Sequence, residues 1–235
     1  MGSPSMMMKF PILRRYRPSG PMSADIQPAD GLFIEQSSRL SPAKNWSQVI
    51  RAFQEPGHAF TVLLAVVRGM VFTWWVRAFR PRIQVGRGLR IYGRLNIQGP
   101  GTVVLGDDVQ IYGRVTPWTN ATGARIEIGD RTKLDGTRVS CVCLVRIGRD
   151  CLVANCRILD SSFHSIRRSG SAPAPVLEAP VEIGDNVWVS PDAGLLPGTR
   201  IGNDSVVAMA AICKGEFPSG VMILGNPARV AGRIP

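Results

Sequence analysis

At 235 residues, 45% of them apolar, the chain is long enough for one or two domains with an ordinary core. Its net charge of +11 implies an anionic partner; a membrane surface or a polyphosphate cofactor ranks above nucleic acid, because the arginines are scattered and no nucleic-acid-binding signature is present. The five cysteines (Cys141, Cys143, Cys151, Cys156, Cys213) have no CxxC spacing, which argues against a zinc or redox motif and for small, reduced core fillers in a cytoplasmic protein.

Residues 1–56 are rich in Pro, Ser and Met without a sustained period and read as a mostly disordered tail, with a short helical piece around Trp46 to Phe53. Met6 to Met8 is too short for the apolar core of a signal peptide. Residues 57–81 contain the apolar run Ala59 to Phe79, interrupted by Arg68, with Trp74, Trp75 and Arg77 near one end and Pro81 closing it. The run just reaches the ~20 residues a spanning helix needs. A central arginine costs about 2.5–3.5 kcal/mol on insertion scales, so a helix lying in the membrane interface fits the composition better. A helix capping the open end of the following domain would need the same apolar face, and composition leaves both readings open.

From Val85 an aliphatic residue recurs every six residues, often followed by Gly and then Asp or Asn. Ile183-Gly184-Asp185-Asn186, Val189, Leu195, Ile201-Gly202-Asn203-Asp204, Val207 and Cys213 keep this period without a slip. It is neither helical nor a simple strand alternation; three short strands per turn give a coil of about eighteen residues, the signature of a solenoid. Coil starts at 85, 105, 128 and 147 are spaced 20, 23 and 19 residues, which is one coil plus short corner insertions. The aliphatics are expected inside, the Gly, Asn and Asp at corners that need positive φ, with about six coils stacked in an all-β solenoid over residues 82–235. Such a stack has no polar interior, so chemistry belongs on the outside, at a corner or between subunits.

One corner is broken. Ile147 plus one coil reaches position 165, yet 165–180 has no period and is rich in Ser, Pro and Ala before the rhythm resumes at Ile183. His164 stands at the root of this excursion, and the only other histidine, His58, lies outside the repeat.

The repeat, the segment Asp160-Ser161-Ser162-Phe163-His164-Ser165-Ile166, the block Val181 to Leu196 and the ending Gly225-Asn226-Pro227-Ala228-Arg229-Val230 together resemble the hexapeptide-repeat acyltransferases. Within that family the chain is most similar to sugar O-acetyltransferases of bacterial polysaccharide synthesis, over about residues 85 to 230. The resemblance implies a left-handed parallel β-helix, acetyl-CoA as acyl donor, no metal, a homotrimer with sites between protomers, and a sugar or glycan hydroxyl as acceptor. It implies His164 as the general base that takes the acceptor's proton. Asp160 is the first candidate to orient the ring, because relatives often carry an acid two residues before the histidine, where this chain has Ser162. Glu178 is the second. Ser162, Phe163, Glu178 and Trp188 are expected near the acceptor and the acyl channel. Ser190, Ala208 and Ala210 are expected along the coenzyme arm, with a backbone N–H at Ser190 or Ala208 as oxyanion donor. Lys214 and Arg229, with Arg200 also on that stretch, are candidates for its phosphates; Cys213 reads as core. Two histidines cannot build the three-histidine zinc site of the carbonic anhydrases on this fold, and residues 1–56 hold no nucleotide-binding domain of a nucleotidyltransferase. The alternative is a catalytically degenerate trimer serving as a structural or assembly partner in envelope polysaccharide synthesis. Either reading places the chain in the cytoplasm, free or peripheral at the inner membrane face.

Overall fold

The computed structural model describes residues 56–165 and 175–234; the expectations for the tail and its short helical piece lie outside them. After the helix α1 (Pro56–Phe79), the described chain winds through short strands that return to three faces in turn. The first face is a seven-stranded sheet from Ile83–Val85 to Glu216–Phe217, and the third is a six-stranded sheet from Arg94–Leu95 to Ile212–Cys213. The second face runs from Arg90–Ile91 to Val221–Gly225, all parallel, and ends in the antiparallel strand Ala228–Arg233. The seven parallel strands of the first face correct the expected coil count from about six to about seven.

The six-residue period becomes a set of stacked inward columns. On the first face Val85, Leu105, Ile128, Ile147, Ile183, Ile201 and Phe217 lie in register, one per coil, and all are buried. On the third face Val139, Ile158, Leu195 and Cys213 do the same. Burying each such side chain stabilises by about 1.5–3 kcal/mol, and this stacking replaces a conventional core.

The Gly-Asp corner between the first and second faces meets the expectation for its Asp and Asn residues and departs from it for the leading glycine. Its glycine is required for close approach: a Cβ on Gly106 would stand 2.4 Å from the Asp130 carboxylate, and one on Gly184 would stand 2.3 Å from the Asn203 side chain. The acidic or amide side chain accepts the N–H of the same residue one coil earlier, as in Asp107 N–H to Asp130 (2.8 Å) and Asp185 N–H to Asn203 (2.9 Å). Positive φ falls later in the corner, at Asp108, Arg131, Asp150, Asn186 and Asp204.

Helix α1 starts with Pro56 in its first turn, where a missing N–H costs nothing, and stops just before the Arg80-Pro81 pair. Ala65, Gly69 and Val76, with half-buried Phe72, form a narrow stripe against the first coil. The fit is close: a Cβ on Gly69 would lie 1.8 Å from the Leu89 carbonyl oxygen. Arg68 and Arg77 turn toward the solenoid, donating to the carbonyls of Tyr92 and Val85 at 3.4 Å each. The helix therefore caps the stack, yet most of its apolar surface stays outside, with Trp74 69% and Phe60 66% exposed.

Candidate functional site

His164 sits where the sequence places it, on an exposed segment leaving the third-face strand Arg157–Leu159, and the chain rejoins the first face at Val181–Ile183. The loop root is pinned by backbone geometry. Ala179 N–H donates to the Asp160 carbonyl (2.9 Å), Ser162 N–H to the Leu177 carbonyl (2.9 Å), and Ser161 bridges Glu178 in antiparallel fashion. Phe163, half-buried, takes φ of 56°, and its N–H donates to the Ser161 hydroxyl (2.9 Å). This tight turn presents the next residue, His164, to solvent.

Asp160 has another task than the one expected of it. Its side chain is fully buried, and its two oxygens accept the backbone N–H groups of Val142 and Cys143, both at 2.8 Å, and the Cys141 thiol at 3.2 Å. Among the described residues no hydrogen bond joins this carboxylate to the imidazole. The cause is stacking: Val142 lies one coil of eighteen residues before Asp160, so the acid reaches down to the preceding corner. Burial, aided by Asp160, pushes the Cys143 thiol up to about 11 and raises Cys141 further, so neither is a nucleophile. The Ser162 hydroxyl is likewise engaged, accepting Leu177 N–H (3.1 Å) and donating to the His164 carbonyl (3.4 Å). Glu178 is exposed at the same root.

The expected oxyanion donors are also committed. Ser190 N–H donates to the Val207 carbonyl (2.9 Å) and Ala208 N–H to the Ile223 carbonyl (2.8 Å), so both belong to the strand ladder. Ala210 N–H donates to the Pro191 carbonyl at 3.1 Å. Arg200 is occupied between Glu182 and Glu216, each at 3.3 Å, as part of a first-face ion ladder that continues through Arg146 to Glu127. Lys214 and Arg229 are exposed, and among the described residues neither has a carboxylate partner; Cys213 is buried.

The fold sorts the candidates into two places. His164, Ser162, Phe163, Glu178 and Lys214 lie along the edge between the third and first faces. Trp188 lies on the second face, across the solenoid from that edge, in an outward column with Leu152, Val206 and Met222. Ser190, Ala208 and Ala210 follow the second-face strands at the corner into the third face, and Arg229 is on the terminal antiparallel strand. One feature went unread in the sequence. Four of the six third-face strands open with an arginine before their inward aliphatic, at Arg94, Arg114, Arg138 and Arg157, and all four are exposed. The signal was legible as Arg-aliphatic pairs at coil spacing.

Comparison with known proteins adds to this geometry. No protein-family model matches the chain. It is 27% identical over 146 residues to the "Putative lipopolysaccharide biosynthesis O-acetyl transferase WbbJ" of Escherichia coli K12, covering 58% of this chain and 63% of that protein. It is 30% identical over 90 residues to the galactoside O-acetyltransferase of the same organism, covering 38% and 44%. Over part of its length the chain is thus similar to proteins named O-acetyltransferases. It spans less than two thirds of the length of both relatives. Among solved structures, AntD, an N-acyltransferase from Bacillus cereus in complex with dTDP and coenzyme A, superimposes with a TM-score of 0.54 at 14% identity, covering 65% of this chain and 83% of that one. That likeness concerns the fold.

Proposed function

We propose that the chain is an acetyl-CoA-dependent O-acetyltransferase acting on a hydroxyl of a sugar or glycan precursor, with His164 as general base. The observation that carries this reading is the exposed imidazole at the root of the long excursion from a solenoid whose relatives are named O-acetyltransferases. The imidazole takes the acceptor's proton as the oxygen attacks the thioester carbonyl, then returns it to the leaving thiolate. With Asp160 committed to the Cys141–Cys143 turn, Glu178 is the carboxylate left at the loop root to position the ring. Lys214 and Arg229 suit the coenzyme phosphates as exposed cations.

The separation of the candidates onto an edge and the opposite face supports a site shared between protomers of a homotrimer. His164 then comes from one copy and the Trp188 column from its neighbour. The exposed apolar side chains of that column, with Leu152 41%, Trp188 47% and Met222 43% accessible, suit such a contact. Mixing an inactive His164→Ala variant with an inactive Trp188→Ala variant under subunit exchange restores part of the activity if the site is shared, and restores none if it is not.

Incubation with acetyl-CoA and a panel of hexose, hexosamine and lipid-linked sugar acceptors, read by mass spectrometry, tests the activity itself. One acetyl ester on one acceptor, removed by hydroxylamine, is the expected product. The degenerate-scaffold reading is favoured by the committed N–H groups of Ser190 and Ala208, and it prevails if no acceptor gains an acetyl group.

A further inference from the structure

The end of the solenoid opposite the C-terminal strand carries a groove of about 820 Å³ between α1 and the first two coils. One wall is apolar, built from Val71, Trp74 and Trp75 of the helix and Leu95 of the third face, and three arginines (Arg68, Arg94, Arg114) line it. We propose that this groove and the outer face of α1 form a docking site for an anionic lipid bilayer, the arginines holding a lipid phosphate and the tryptophans entering the headgroup layer.

Three observations carry the proposal together. First, the exposed apolar surface of α1 is continuous along the helix: Phe60, Leu63, Val67, Met70, Trp74 and Phe79 are each at least 40% accessible. A patch of this kind on a folded chain marks a partner or a membrane. Second, its charges are complementary to anionic headgroups. Elsewhere many arginines are matched by acids: Glu127, Glu182 and Glu216 alternate with arginines on the first face, and Asp107, Asp150 and Asp185 pair with Arg87, Arg131 and Arg149 at the corner. Arg68, Arg94 and Arg114 have no carboxylate within 4.0 Å among the described residues. Guanidinium forks suit phosphate oxygens, and tryptophan beside arginine is the composition of a headgroup belt. Arg80 adds to that belt, its guanidinium 5.4 Å from the Trp75 ring centre. Third, the stripe Ala65, Gly69, Phe72 and Val76 is held on the first coil, with the backbone of Gly69 against Leu89. Protein covers one side of the helix and leaves the opposite side free along its length, the arrangement that suits a helix lying in the interface plane.

Flotation of the full chain with vesicles of phosphatidylcholine alone, or with about one third phosphatidylglycerol, tests the proposal. The expected result is flotation with the anionic vesicles, weakened by high salt, and little with the neutral ones. Arg94→Gln with Arg114→Gln should lower partitioning roughly tenfold or more. Arg138→Gln with Arg157→Gln, which removes equal charge from higher coils, should leave it nearly unchanged. Lipids brominated in the upper acyl chain should quench tryptophan fluorescence, and Trp74→Ala with Trp75→Ala should remove most of that quenching. Equal flotation on neutral vesicles, no flotation on either, or equal losses from the two arginine pairs would overturn the proposal. So would self-association through α1, seen as a dimer that the tryptophan variant no longer forms while vesicles have no effect. The readout does not depend on acyl transfer, and a His164→Ala variant should float like the wild type.

Discussion

At the level of single residues, the two members of the Asp160–His164 segment separate structure from chemistry. Asp160 satisfies two backbone N–H groups and a thiol inside the fold, and buried hydrogen bonds to a charge are costly to disturb. Asp160→Asn should therefore lower stability by about 1–3 kcal/mol, measured by denaturant unfolding, because an amide presents only one acceptor oxygen to donors that now meet two. His164→Ala, at an exposed position, should change stability by less than ~0.5 kcal/mol. Glu178→Gln should lower kcat and displace its pH profile without altering Tm, if that carboxylate positions the ring. The thiols give an independent check. Burial pushes Cys151 and Cys213 up to about 11 and Cys156 to about 12, so alkylation at neutral pH should be slow until the chain is unfolded. The histidine was legible because the period fails beside it. The task of Asp160 was not, because it depends on which backbone lies one coil below. The spacing from Val142 to Asp160 was nonetheless one full coil, and stacking the sequence in rows would have set them together.

At the level of elements, α1 resolves a choice that composition left open. The packed stripe has a narrow footprint, and it includes a glycine whose Cβ would collide with the Leu89 carbonyl. Gly69→Ala should push the helix off the first coil, lowering Tm and raising exposure of Leu89 and Ile91 to hydrogen exchange. Gly57→Ala has open space and should do neither. A sequence reader sees a long apolar run and must choose between cap and membrane, since hydropathy does not reveal how wide the buried stripe is. Here the packed stripe answers for the cap, and the exposed remainder of the helix is the surface for which we propose a membrane. The Gly-Asp corners teach a related lesson. Their recurrence was plain in the sequence, but whether the glycine serves dihedral freedom or close approach depends on the neighbouring coil.

At the level of the whole molecule, stability is spread along the stack, with the carboxylates of its corners and first face acting as staples. Asp107 is held below its ordinary value of 3.8 mainly by the Arg87 N–H, and Asp185 is held below the same value by the Arg149 guanidinium. Glu127 lies below 4.5 beside Arg125 and Arg146. A lowered folded pKa means that the stabilisation is present above the unfolded value and lost as pH falls through the folded one. Tm should thus be level down to about pH 5 and decline below about pH 4, with high salt shrinking the difference because these pairs are exposed. The stacked fold was legible almost entirely from its period, since each aliphatic occupies the place that arithmetic assigns. The candidate site was legible only as an inventory of residues. Their division between one edge and the opposite face comes from the winding of the chain.

The central claim is that the imidazole at the interrupted corner activates an acceptor hydroxyl toward acetyl-CoA. Steady-state release of coenzyme A thiol, with the acceptor that mass spectrometry identifies, tests it most directly when wild type and His164→Ala are compared across pH. The account predicts a loss of about 10²–10⁴ in kcat for the variant. Equal acceptor-dependent rates for the two proteins, with the same pH dependence, would contradict it.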